Sequence, residues 1–200
     1  MSTFIDLYGQ DWGTPTAGKS KGELDELLEK RQPELVIKKL ISGGQTGADI
    51  AALDVALRFE FPHGGWCPKG RRSLEGPIPA RYQLQETPSS SYLQRTEWNV
   101  RDSDGTVVFT LAAEATGGSL RTIGFAKKHG KPCLHVSGAC YQAPLTLQRF
   151  AAEHRIKILN VAGPRESKEP GIYAWVTQIL EDAIFWDKTH PGTLGGPGEG

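Results

Sequence analysis

The chain has 200 residues, its 23 Lys+Arg are balanced by 23 Asp+Glu, and its pI is near 7.0. That length suits one domain with a real core, and the balanced charge argues against nucleic-acid binding, which needs a basic face. No apolar run approaches the ~20 residues of a membrane span, the N-terminal residues lack the basic and apolar regions of a signal peptide, and the three cysteines, Cys67, Cys133 and Cys140, show no Cys-x-x-Cys and fit a reducing, cytoplasmic setting.

Residues 1–34 differ in composition from the rest of the chain. Gly9 to Lys21 is rich in Gly, Pro, Thr, Lys and Ser, and Glu23 to Arg31 reads as a short polar helix with Leu24, Leu27 and Leu28 on one face. Within this extension Gly13 to Ser20 matches the Walker A pattern literally. The context argues against a nucleotide P-loop. Gly9 to Trp12 is not a buried strand, Pro15 interrupts the loop, and no later apolar strand ends in a Walker B aspartate.

From residue 35 to 186 strands and helices alternate. Leu35 to Ile41 is a predicted strand and Ala48 to Phe59 a helix, with Ile50, Leu53 and Leu57 near helical spacing. A long segment from Phe61 to Thr87 breaks the alternation and carries Lys69, Arg71 and Arg72 among glycines and prolines. Ordered loops of that length usually serve function. Arg95 to Arg101 reads as a helix with Arg95, Thr96 and Asn99 on one face. Then come a strand at Thr106–Leu111, a helix at Ser119–His129 closed by Gly130, a strand at Pro132–Val136, a helix at Pro144–His154, a strand at Ile156–Val161 and a long helix at Pro170–Trp186. Residues 187–200 read as a flexible glycine-rich tail. The alternation predicts an α/β fold: a three-layer, Rossmann-like sandwich with a mostly parallel sheet and helices on both faces.

Two glycine loops fall where such sheets bind ligands, at the carboxyl ends of strands. The first is Gly43-Gly-Gln-Thr-Gly-Ala-Asp49; the second ends in Thr116-Gly-Gly-Ser119. Glycine loops that lead from a strand into a helix turn backbone N–H groups toward an anion. Gly43, Gly44, Gln45, Gly47, Gly117 and Gly118 are therefore expected to supply backbone approach, and Thr46, Thr116, Ser119 and Thr122 hydroxyl bonds. Asp49 sits in the first helical turn, where it could cap the helix or bond a ligand hydroxyl. Lys69 and Arg71 would close over the anion as charge partners, and Arg95 and Asn99 would line the pocket wall. Asn160 and Arg165 follow the last strand and could contact the ligand as well. The five histidines, His63, His129, His135, His154 and His190, show no metal-ligand spacing with Cys or acids, so no protein-held metal is expected. His135, in an apolar strand, reads as a satisfied buried histidine.

The five motifs Gly43–Asp49, Gly64–Arg71, Arg95–Asn99, Thr116–Ser119 and Asn160–Arg165, in that order, resemble the family labelled putative molybdenum carrier, or circularly permuted YpsA. It is a branch of the SLOG, lysine-decarboxylase-like Rossmannoid superfamily. The resemblance covers about residues 35–186 and implies a Rossmann-like fold, a phosphorylated small molecule at the glycine loops (a nucleotide derivative or molybdenum cofactor) and a homo-oligomer. Relatives in the superfamily that cleave nucleoside monophosphates carry Pro-Gly-Gly-x-Gly-Thr-x-x-Glu. Here Thr116 replaces the proline, the second glycine block is missing, and the glutamate position falls on Gly124. A carrier or nucleotide sensor is thus favoured over a phosphoribohydrolase-like N-glycosidase, whose carboxylate would have to come from Asp49, Glu86 or Glu97.

Overall fold

The computed structural model describes residues 36–189. The Walker A-like match at 13–20, the polar helix expected at 23–31 and the glycine-rich end from 190 lie outside the described residues.

The main strands are β1 (Lys39–Ile41), β2 (His63–Gly64), β7 (Gly105–Thr110), β8 (Cys133–Ser137) and β9 (Ile158–Ala162). They form the middle layer, a five-stranded sheet in the order β2-β1-β9-β7-β8, parallel throughout. The segment 61–87 holds β2 and two small extras: β3 (Trp66–Cys67) beside β6 (Gln85–Glu86), and the hairpin β4 (Arg72–Ser73) with β5 (Gly76–Pro77). Strands of two residues leave no periodicity to read. β7 is buried along its whole length, as its unbroken Val107-Val-Phe109 run requires of a strand covered on both faces. The helices are α1 (Ala48–Arg58), α2 (Tyr92–Arg101), α3 (Gly117–Lys128), α4 (Ala143–Glu153), α5 (Ile172–Ile184) and the short α6 (Trp186–Thr189). α1, α4 and α5 pack together on one face of the sheet and α2 and α3 on the other. The fold is therefore the α/β, Rossmann-like sandwich that the alternation predicts.

The apolar stripe of each helix explains its seat. Ala48, Ala51, Ala52 and Val55 of α1 join Ile172, Val176, Ile179 and Leu180 of α5 over Leu40, Phe109, Leu159 and Val161 of the strands. Small alanines let α1 lie close to its neighbours, while Phe59 stacks on Phe185 at 4.2 Å between ring centroids and closes the far end. α1 stops where Glu60 turns left-handed at φ 52° ahead of Pro62.

Several boundaries differ from the pattern. α3 begins at Gly117 with Thr116 as its N-cap, so Ser119 lies inside the helix and is buried. α5 begins after Gly171 rather than at Pro170, and α6 carries the chain past Trp186.

The order of the strands has a consequence for the site. β1 sends its helix along one face toward β2, whereas β7 sends its helix along the other face toward β8, and β9 lies between them. The point where strand order reverses opens a crevice at the carboxyl ends of β1, β9 and β7.

Candidate functional site

Three strand-end loops meet at that crevice, packed more tightly than side chains allow. Gly47 has φ 75°, and a Cβ there would lie 2.5 Å from Pro164 O, so the first glycine loop rests directly on the turn after β9. Gly163 in turn would place a Cβ 2.8 Å from Phe109 O at the end of β7.

The first loop is held by its own helix. Asp49, 3% exposed, accepts hydrogen bonds through Oδ2 from Gln45 N at 3.2 Å and from Arg95 Nη1 at 2.7 Å. Burial pushes the Asp49 carboxyl above its ordinary range, against the Arg95 guanidinium and the Gln45 and Gly43 amides, which pull it down. The guanidinium reaches Asp49 by lying where Gly43 has no side chain: a Cβ at Gly43 would be 1.5 Å from Nη1. Gln45 turns its side chain back, and Oε1 accepts from Thr46 N and from Leu74 N at the tip of the β4–β5 hairpin. Gly44, at φ 71°, sits against Ile78 and Leu84. Ser42 Oγ, Thr46 Oγ1 and Arg95 Nε around this loop are buried without a hydrogen-bond partner.

The second loop is open. The Thr116 hydroxyl does not cap α3; it takes Lys168 Nζ at 2.9 Å. Ser119 N and Leu120 N both bond Thr116 O, which leaves the Gly117 and Gly118 amides to whatever lies in front of the helix. Beside Gly118 a Cβ would meet nothing within 4 Å. That free space is a cleft of about 430 Å³ between the starts of α2 and α3. Its polar lining is Ser90, Ser91, Arg95 and Thr96 from the α2 side and Arg121 from α3, with Tyr92 and Leu93 completing the wall.

Arg95 thus belongs to both loops, and Gly118 to the cleft. Other expected residues have different tasks. Arg71 spends its guanidinium on the carbonyls of Ile78, Pro79, Tyr82 and Leu84, at 2.8–3.1 Å. Asn99, 2% exposed, exchanges hydrogen bonds with the backbone N–H and C=O of Trp66 and also donates to Arg95 O, so its amide is fully engaged. Thr122 donates to Gly118 O. Asn160 donates to Thr106 Oγ1 in the sheet, and Arg165 is exposed. Lys69 is exposed too, and its backbone N–H bonds Ser89 O, one residue from the cleft wall. Glu97 pairs with Lys128 and His129 at the opposite end of α3, contacts that hold its carboxyl below the usual range. Glu86 accepts from Gly70 N.

The sequence pattern misses Ser90, Ser91 and Arg121. Ser89-Ser-Ser91 ahead of a helix is a usable signal of capping hydroxyls, and Arg121 stands two residues beyond Ser119 on the same helix. Among the described residues no group of three or more His, Cys, Asp or Glu is placed to hold a metal.

A solved structure is similar to this chain in sequence and fold. The crystal structure of a protein from Syntrophus aciditrophicus, described as a putative molybdenum carrier protein, is 45% identical and superposes with a TM-score of 0.72, over 74% of this chain and 96% of that one. No curated protein matches the chain. The family model of the circularly permutated YpsA SLOG family matches residues 40–184, and its name describes the strand order seen here: placing β9 and α5 ahead of β1 would restore the order 3-2-1-4-5 of an unpermuted doubly wound sheet. The chain belongs to the circularly permutated YpsA SLOG family.

Proposed function

We propose that this protein binds a phosphorylated small molecule, a nucleotide derivative or molybdenum cofactor, with its phosphate in the cleft between α2 and α3. The observation that carries this reading is the start of α3. Gly118, whose amide is free, lines a cleft that also holds Arg95, Arg121 and the hydroxyls of Ser90 and Ser91, and the free amide of Gly117 precedes it at the helix start. Amides at a helix start, guanidinium groups and hydroxyls are the donors that phosphate oxygens accept from. The molybdenum-carrier description of the Syntrophus aciditrophicus relative supports the cofactor as one candidate.

Holding fits better than cutting. Asp49 is committed to Arg95, and Glu97 to Lys128 and His129. Neither carboxylate is free to act as a general acid or base. The wall of Tyr92 and Leu93 would take the apolar part of the ligand.

Thermal unfolding with AMP tests the assignment. A ligand at about one hundred times its Kd stabilises the folded state by about 2.7 kcal/mol. Gly118→Val has room beside the backbone, so the variant folds, but its side chain fills the cleft and the stabilisation is lost. A variant still fully stabilised would refute the cleft. Incubation with AMP-type nucleotides is expected to release no free base.

A further inference from the structure

Two glycine loops at the ends of β1 and β7, with β9 between them, suggest a diphosphate lying across both. The contacts around the first loop argue otherwise. We propose that the site takes a single phosphoryl group, a phosphomonoester, because the Asp49 carboxylate already fills the anion position on the first loop.

Two of the first-loop amides that a second phosphate would need, at Gln45 and Thr46, are engaged from within the chain, while the Ser42 and Thr46 hydroxyls have no partner. The Asp49 carboxylate takes the Gln45 amide, and Gln45 Oε1 takes the Thr46 amide. Arg95 is the link between the loops: Nη1 is on Asp49 at 2.7 Å while the same side chain lines the cleft beside Gly118. Asp49 is only 4% exposed at its side chain, so it does not swing aside into solvent. A second phosphate would bring negative charge against this buried carboxylate and lose the Arg95 pair. Repulsion between like charges out of water is strong. The second loop has no such internal anion, and Gly118, whose amide is free, lines the cleft. Asp49 therefore sets ligand class: it holds Arg95 in place for one phosphate and excludes a second.

This rests on the cleft reading above, and the experiment separates the two. Calorimetric titration of the full chain with AMP, ADP, inorganic phosphate and pyrophosphate gives the selectivity directly. The expected result is AMP binding at least as tightly as ADP, and phosphate at least as tightly as pyrophosphate. Asp49→Ala uncovers the Gln45 amide and releases Arg95 from its partner, so AMP should weaken, and the affinity for ADP relative to AMP should rise about tenfold. A wild-type chain binding ADP more than about tenfold tighter than AMP overturns the single-phosphate proposal and leaves the cleft standing. A folded Asp49→Ala chain whose ADP-to-AMP ratio is unchanged does the same. Absence of AMP binding to the wild type overturns both readings. Should Asp49→Ala fail to fold, the wild-type ratio decides alone.

Discussion

Gly43 shows how one missing side chain can hold a site together. Arg95 crosses from α2 to Asp49 only because Gly43 leaves its Cβ position empty, 1.5 Å from Nη1. Gly43→Ala must eject the guanidinium and strand a carboxylate that is 4% exposed. Breaking a buried pair from one side costs about 3 kcal/mol. Urea unfolding should show that loss, and a loss under ~1 kcal/mol would mean the guanidinium is not held there. His135 provides a second prediction. Thr110 Oγ1 donates its hydrogen to Ala112 O at 2.7 Å, so its 2.8 Å contact with His135 Nε2 requires the ring to donate. A neutral ring protonated at Nε2 does this, and burial lowers the His135 pKa from its ordinary 6.5, with Glu169 opposing. The unfolded chain then takes up the proton first. Stability is complete above ~6.5 and falls as pH drops through the folded value. His135→Gln keeps a donor and should flatten that part of the pH profile. The sequence pattern identifies His135 as a satisfied residue in an apolar strand, but it assigns Asn99 to the ligand. Helical spacing puts Asn99 on the face of Arg95 and carries no information that the Trp66 backbone engages its whole amide.

At the scale of elements, the segment 61–87 is where the pattern conveys least. Its charges and glycines mark it as ordered and unusual, and it is both. Two-residue strands have no period, so only the structure could show that Arg71 is the tie of this segment rather than a clamp on the ligand. Arg71 gathers four carbonyls between Ile78 and Leu84, which seats Ile78 and Leu84 against Gly44 of the first glycine loop. The planar fork of arginine reaches acceptors that a lysine ammonium cannot reach together. Arg71→Lys should therefore cost about 2 kcal/mol. Hydrogen exchange should quicken at amides 78–84 and stay unchanged in β7. Exchange rising equally in β7 would show that Arg71 supports the whole domain rather than this segment. The long helices and buried strands are far more legible, because each has an apolar stripe or run set by its place against the sheet. Their starts are not: Thr116 and Gly171 both lie next to runs that could begin a helix one turn later or earlier, and packing of the loops decides.

The whole molecule is assembled around its last strand. β9 pairs with β1 on one side, Lys39–Ile41 against Ile158–Asn160, and with β7 on the other, Gly105–Val108 against Leu159–Ala162. β1 and β7 do not pair with each other. α5, which follows β9, supplies Ile172, Val176 and Leu180, all fully buried, to the main core. A chain ending at Glu153 would therefore leave β1 and β7 each with an open edge where β9 belongs. It would also expose the α1 and α4 faces that α5 covers. Each buried apolar side chain of this size contributes roughly 2 kcal/mol, so the loss of several exceeds the whole margin of about 5–15 kcal/mol that holds a domain folded. The alternation of elements is legible from the amino acids, but this dependence is not, because strand order is fixed by pairing across more than a hundred residues and leaves no local trace. The expected outcome is that residues 1–153 alone give no near-ultraviolet circular dichroism and no cooperative thermal transition. Adding a peptide of residues 154–189 should restore both, since the permuted unit brings its own strand and helix. A cooperative transition in the 1–153 fragment by itself would refute the central role of β9, and would mean that β1 and β7 can close the sheet without it.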